Sequence, residues 1–102
     1  MEEVDSIEAL LRRVGETGGI GLIPTPGGFK VALALDRKNP HVIFDHINQL
    51  EISLTVAAAK NPAHLEYVET LIDQIRTAAV TQSKARGIDI TVLQNVPEKY
   101  KH

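Results

Sequence analysis

The 102-residue chain has no cysteine and no tryptophan. Without thiols it has no disulfide scaffold, thiolate nucleophile or cysteine-ligated zinc, a composition that fits a reducing compartment. Two Phe and two Tyr are its only aromatics, so the core must be aliphatic and aromatic platforms for stacking nucleic-acid bases are scarce. A basic excess is missing as well. The net charge of −2 and pI near 6.0 argue against a dedicated nucleic-acid binder. Apolar runs last only a few residues, so no segment is expected to span a bilayer. The opening Met1-Glu2-Glu3-Val4-Asp5 is acidic where a signal peptide would be basic, and no apolar h-region follows. The expected location is the cytoplasm, away from membranes.

What remains is ordinary globular material, 43% hydrophobic and 24% charged. Residues 1–102 are expected to form one α+β domain that buries about two-thirds of its unfolded surface. The stretch Asn39–Gly87 organises the chain as two long helices folded back at Lys60-Asn61-Pro62. Both begin with Asn-Pro: the Asn side chain can accept from a free N–H of the first turn, and Pro suits the first helical position. In the second helix Leu65, Val68, Ile72, Ile75 and Ala79 recur at steps of three and four, widened by Leu71 and Ala78. Glu66, Glu69, Asp73 and Arg76 collect on the other side as a solvated face, and Gly87 ends the helix.

The first of the two helices is more ambiguous. Ile43, Ile47, Leu50, Leu54 and Ala57 lie on one helical line, yet Leu50, Ile52, Leu54 and Val56 also alternate as in a strand. The length between the two Asn-Pro signals and the run Ala57-Ala58-Ala59-Lys60 decide for helix. Ile52, Val56 and Ala59 then fall opposite the main stripe, and a helix apolar on two faces is covered on two faces. These three residues are the expected subunit interface.

Upstream, Asp5-Ser6-Ile7-Glu8 reads as a capped helix start, with Ile7, Leu10, Leu11 and Val14 on one stripe and an end near Arg13–Glu16. The glycines 15, 18, 19 and 21 follow a helix and precede a strand, the reverse of a phosphate-binding loop, and no Gly-Lys-Ser/Thr ending is present. Ile20–Pro24 and Phe29–Asp36 flank Thr25-Pro26-Gly27-Gly28, which predicts a β-hairpin on a type II turn. Phe29, Val31, Leu33 and Leu35 should face the helices, leaving a smooth second face at Ala32 and Ala34. Alternation at Ile88, Ile90 and Val92 predicts a third strand, and residues 96–102 should fray.

The expected fold is therefore a three-stranded sheet, hairpin plus C-terminal strand, on a long antiparallel helical hairpin, in the order α-β-β-α-α-β. That order resembles the bacterial-type KH RNA-binding fold, in which a GXXG loop between the two central helices clamps a nucleic-acid backbone. The corresponding junction here, Lys60-Asn61-Pro62-Ala63, has no glycine.

Few residues suggest chemistry. His41 and Asp45 sit four apart on one face without a visible third metal ligand, and read as a helix-surface pair. His46 and His64 fall on the apolar sides of their helices, roughly 18 Å apart along the hairpin, and read as hydrogen-bonded interior residues. Ser6, Ser53 and Ser83 lack a local base. No catalytic residue, cofactor or metal is assigned. Arg12, Arg13, Lys30, Arg37 and Lys38 would form an anion-binding patch if the β-hairpin packs beside the first helix.

These readings favour a non-enzymatic cytosolic homo-oligomeric interaction protein, an adaptor, regulator or inhibitor of another protein. The alternative is a binding protein for a small anionic ligand such as a nucleotide at a subunit interface. A KH-like nucleic-acid-binding module and a small His-dependent enzyme rank below both.

Overall fold

A computed structural model of the protein describes residues 7–101, with side chains from residue 9 onward. Helix α1 (Ile7–Glu16) leads into strands β1 (Ile20–Thr25) and β2 (Gly28–Leu33). Helices α2 (His41–Ala58) and α3 (Pro62–Ala85) follow, then 3₁₀ turns at Ile90–Val92 and Glu98–Tyr100. The fold is α+β, with three α-helices and a two-stranded antiparallel sheet among the described residues. The expected cap at Asp5, Ser6 and the Glu8 side chain lies outside the described residues.

Periodicity places the helical core. Ile43, Phe44, Ile47, Leu50, Leu54 and Ala58 of α2 are buried against Val68, Leu71, Ile72, Ile75 and Ala79 of α3. Leu10 and Val14 of α1, with Ile20 and Val31 of the hairpin, complete the same core. The ambiguous segment 50–57 is helical throughout.

The two Asn-Pro signals behave differently. Asn61 takes extended φ/ψ and its side chain accepts from the Ala63 N–H at 3.1 Å, with Pro62 opening α3. Asn39 does not cap α2: its side-chain amide turns back to donate to Asp36 Oδ2 at 3.3 Å. Pro40 stands at the cap position in helical geometry with no side-chain cap bond. Asp36 organises this turn, because its Oδ1 also accepts from the Lys38 N–H at 2.9 Å. Those bonds hold the Asp36 carboxyl below its usual range.

The sheet pairs Ile20 with Leu33 through Thr25 with Gly28. Alternation along β2 is as expected, with Val31 buried and Lys30 and Ala32 exposed. The reversal at Pro26-Gly27 is not the expected type II turn, because the positive φ falls on Gly28 (+144°) rather than Gly27. The Gln82 side chain of α3 donates to the Val31 carbonyl at 3.2 Å, on the edge of β2 that faces away from β1.

Among the described residues the expected third strand over residues 88–92 is absent, and with it the KH-like element order. Gly87 at φ +77° closes α3: its N–H donates to the Lys84 carbonyl and the Ile88 N–H to that of Ser83. Asp89 then accepts from both the N–H (3.0 Å) and the hydroxyl (2.6 Å) of Thr91, coiling the backbone where an extended ladder was expected. Ile90 is thereby turned into the core and Val92 into solvent. The segment after Asn95 is not frayed within the described residues. Val96 is 3% exposed in the core cluster, and the turn at Glu98–Tyr100 packs on α3.

Candidate functional site

Helix α2 carries two surfaces of interest, one apolar and one polar. From His46 to Ala59 its only charged residue is Glu51. The inward stripe is consumed by the core, while Ile52 (67% exposed) and Val56 (72%) project outward one turn apart. Val42, Gln49 and Ala59 extend the same line at steps of seven and three, and all three are exposed. The contrast with α3 is sharp, since apart from Pro62, Ala63 and Ala85 at its ends its exposed positions are Glu66, Glu69, Thr70, Asp73, Gln74, Thr77, Thr81 and Lys84. β-branched side chains gain nothing from exposure on a helix and lose rotamer freedom there.

The polar surface gathers around Arg76, which the sequence assigns to the solvated face of α3. The structure buries it to 8% exposure. Its Nη2 donates to Asn48 Oδ1 at 2.6 Å and to Glu51 Oε1 at 2.7 Å, both on α2. Asn48 in turn donates to the Asn95 carbonyl at 2.9 Å. The Asn95 side chain donates to the His41 carbonyl (2.6 Å) and Asp45 Oδ1 (2.7 Å). Finally, the Tyr100 hydroxyl donates to Asp73 on α3. This chain of bonds staples the C-terminal segment across both long helices. Burial and the neighbouring Asp73 carboxylate push the Tyr100 phenol up to about 12, so it serves as a proton-holding donor at any physiological pH.

A groove of about 430 Å³ opens on this network, lined by Glu51, Glu69, Asp73, Arg76, Lys99 and Tyr100 among others. Arg76 is paired with Glu51 there, and Lys99 Nζ stands 5.1 Å from the centre of the Tyr100 ring. The Tyr100–Asp73 bond and the Arg76–Glu51 pair both lie in its wall. Sequence reading misses Asn48, Asn95 and Tyr100 altogether.

The Asn95 side chain bonds both the His41 backbone carbonyl and the Asp45 carboxylate. Among the described residues, no group of three or more His, Asp or Glu is placed to hold a metal ion. Both His46 and His64 are half-buried with a buried, unpartnered Nδ1, which corrects the expected hydrogen-bonded interior state. His46 lies under the glycine-rich segment, 3.6 Å from where a Cβ on Gly18 would sit. Ser53 accepts from Arg13 Nη1 at 3.2 Å across the α1–α2 contact.

The five basic residues have separate surroundings. Arg13 is turned to Ser53, whereas Arg12 lines a groove with Phe29 and Tyr67. Lys30 stands beside Asp73, Gln74 and Gln82, and Arg37 and Lys38 are exposed in the turn before α2. Among the described residues, no helix is long and apolar enough to cross a membrane. Comparison with protein families, curated proteins and solved structures returns no match to this chain.

Proposed function

We propose that the chain is a non-enzymatic interaction protein that self-associates through α2 and acts as an adaptor, regulator or inhibitor of another protein. One observation carries this reading. Ile52 and Val56 stand 67% and 72% exposed on a helix whose outer face is almost free of charge, while the rest of the large apolar side chains of α2 and α3 are mostly buried. Two copies crossing at these residues on a two-fold axis would bring each Ile52–Val56 pair onto its equivalent, the self-complementary contact of an isologous dimer. An 18-residue helix is about 27 Å long, enough to seat such a contact over three turns. The polar network is compatible with the same reading, because the Arg76–Glu51 pair and the bonds of Asn48, Asn95 and Tyr100 tie the C-terminal segment to the two long helices.

The test is subunit mass in solution, by native mass spectrometry or light scattering after size exclusion. The unmodified chain is expected to run as an oligomer, and Ile52→Glu/Val56→Glu as a folded monomer. An unmodified chain that stays monomeric at high micromolar concentration, or a double variant that keeps the parent mass, would remove the reading.

A further inference from the structure

Val42, Asp45, Gln49, Ile52 and Val56 of α2, with Ala59 at its C-terminal cap, are all exposed and recur at alternating steps of three and four. Two helices that lie side by side keep such a seam facing each other along their whole contact. The seam is uneven in size. Ile52 and Val56 are its most exposed large apolar residues, at 67% and 72%, and the long Gln49 and the small Ala59 flank them on either side. It is uneven in charge as well. Asp45 lies toward the N-terminal end, and the exposed Lys60 directly follows Ala59 at the other.

On the premise that α2 is the self-association surface, we infer that two copies meet with these helices antiparallel, Ile52 of each against Val56 of the other and Asp45 of each reaching Lys60 of the other. Charge decides the direction. Parallel helices would set Asp45 beside Asp45 and Lys60 beside Lys60, whereas antiparallel ones bring opposite charges together at both ends. They also set the positive N-terminal end of each macrodipole beside the negative C-terminal end of the other. Size decides the register. With Ile52 facing Val56, Gln49 faces Ala59, a long side chain over a short one, and the two-fold axis passes level with Leu54. Asp45 and the partner's Lys60 are then offset by about 4.5 Å along the helix, within the span of a lysine side chain. Asn95 donates to Asp45 Oδ1, and a carboxylate with about four acceptor positions can serve both partners.

The chain has no cysteine, so introduced thiols report the arrangement without background. Gln49→Cys and Ala59→Cys should each stay uncrosslinked under mild oxidation, because each thiol would lie about 15 Å along the helix from its own equivalent. Mixed in equal amounts as reduced chains and then oxidised, the two variants should give a covalent dimer. Lys60→Glu, which leaves the Asn95 bond of Asp45 in place, should raise the dimer Kd roughly tenfold, the scale of two exposed ion pairs turned repulsive. The exchanged Asp45→Lys/Lys60→Glu should return the Kd to within about threefold of the parent. A covalent dimer from Ala59→Cys alone, no covalent dimer from the mixture, or a charge exchange that fails to restore the Kd would each overturn the direction and register while leaving α2 as the contact. A parent chain that stays monomeric at high micromolar concentration would remove the contact itself, and the arrangement with it.

Discussion

Replacing Arg76 by methionine tests whether the buried guanidinium holds the long helices and the C-terminal segment together. Methionine keeps much of the aliphatic stem but removes the donor shared by Asn48 Oδ1 (2.6 Å) and Glu51 Oε1 (2.7 Å). Breaking a fully buried ion pair costs about 3–5 kcal/mol, because one charge is stranded. Here the Glu51 side chain is 43% exposed and can rehydrate, which brings its share down to about 1 kcal/mol or less. Asn48 is half-buried, and an acceptor deprived of its donor there costs about 1–3 kcal/mol. Arg76 Nε is already buried without a partner, so the substitution also relieves a desolvated donor. The expected net loss is about 2 kcal/mol. For a domain of this size that lowers the melting temperature by about 8–16 °C. The assay is thermal unfolding by circular dichroism, with urea unfolding as a second measure. Asn48→Ala should be worth less in the Arg76→Met background than alone, with a coupling of about 0.5 kcal/mol or more. A variant as stable as the parent, with no coupling to Asn48, would show that the helices pack without the network and would refute the reasoning.

At the α2 face, full burial of an Ile or Val is worth about 1.5–3 kcal/mol. With 67% and 72% of those side chains still exposed, four of them in a two-fold dimer could contribute about 4–8 kcal/mol. Ile52→Glu/Val56→Glu is therefore expected to raise a dimer Kd at least about a thousandfold, read by sedimentation equilibrium; a shift below tenfold would place the contact elsewhere. Tyr100 predicts a pH effect. Its folded pKa of about 12 lies above the ordinary 10.0, so its contribution is whole below pH 10 and is lost as pH rises from 10 to 12. In a Tyr67→Phe background, where Tyr100 is the only tyrosine, phenolate absorbance should appear near pH 12, and Asp73→Asn should bring it down. Appearance at pH 10 would show that the Tyr100–Asp73 bond is not made in solution. Val96→Ala removes buried carbon from a site 3% exposed and should cost about 2 kcal/mol; a neutral result in urea unfolding would return the C-terminal segment to the frayed state expected from sequence.

What could be read from the sequence was whatever repeats locally. The step of three and four through Val68, Ile72, Ile75 and Ala79 marks α3 because helix geometry ties residue spacing to direction. Asn61-Pro62 marks its start because the cap bond spans only two residues. The errors came where a distant partner decides. Ile88, Ile90 and Val92 alternate as in a strand, but Asp89 and Thr91 bond each other and coil the same residues. Asn39 looks like a cap until Asp36 draws its side chain away. Arg76 belongs by spacing with Glu69 and Asp73, yet it sits at the boundary of the polar face where α2 covers it. The Asn95 and Tyr100 contacts join residues 54 and 27 apart in sequence, and no local pattern announces such pairs. For the candidate interface the sequence identified Ile52 and Val56 as outward-facing. For the groove that Arg12 lines with Phe29 and Tyr67, it placed Arg12 among the basic residues and turned Phe29 toward the helices, but it gave no sign that Tyr67 would join them.

The Gln82 bond to the Val31 carbonyl has a consequence for how this protein can go wrong. A two-stranded ribbon has two open rims, and each can recruit a strand from another chain and grow into a fibre. Here one rim carries Pro24, which has no N–H to offer. Pairing of Ala34 N–H with the Gly19 carbonyl turns Val31 N–H and C=O to the other rim, where Gln82 occupies the carbonyl. Lys30 adds a charge that like copies would have to bring together. Each rim of the ribbon therefore carries one local obstacle to pairing with another strand, Pro24 on one and the Gln82 bond on the other. Gln82 thus takes up, from α3, a strand carbonyl that would otherwise be open to another chain.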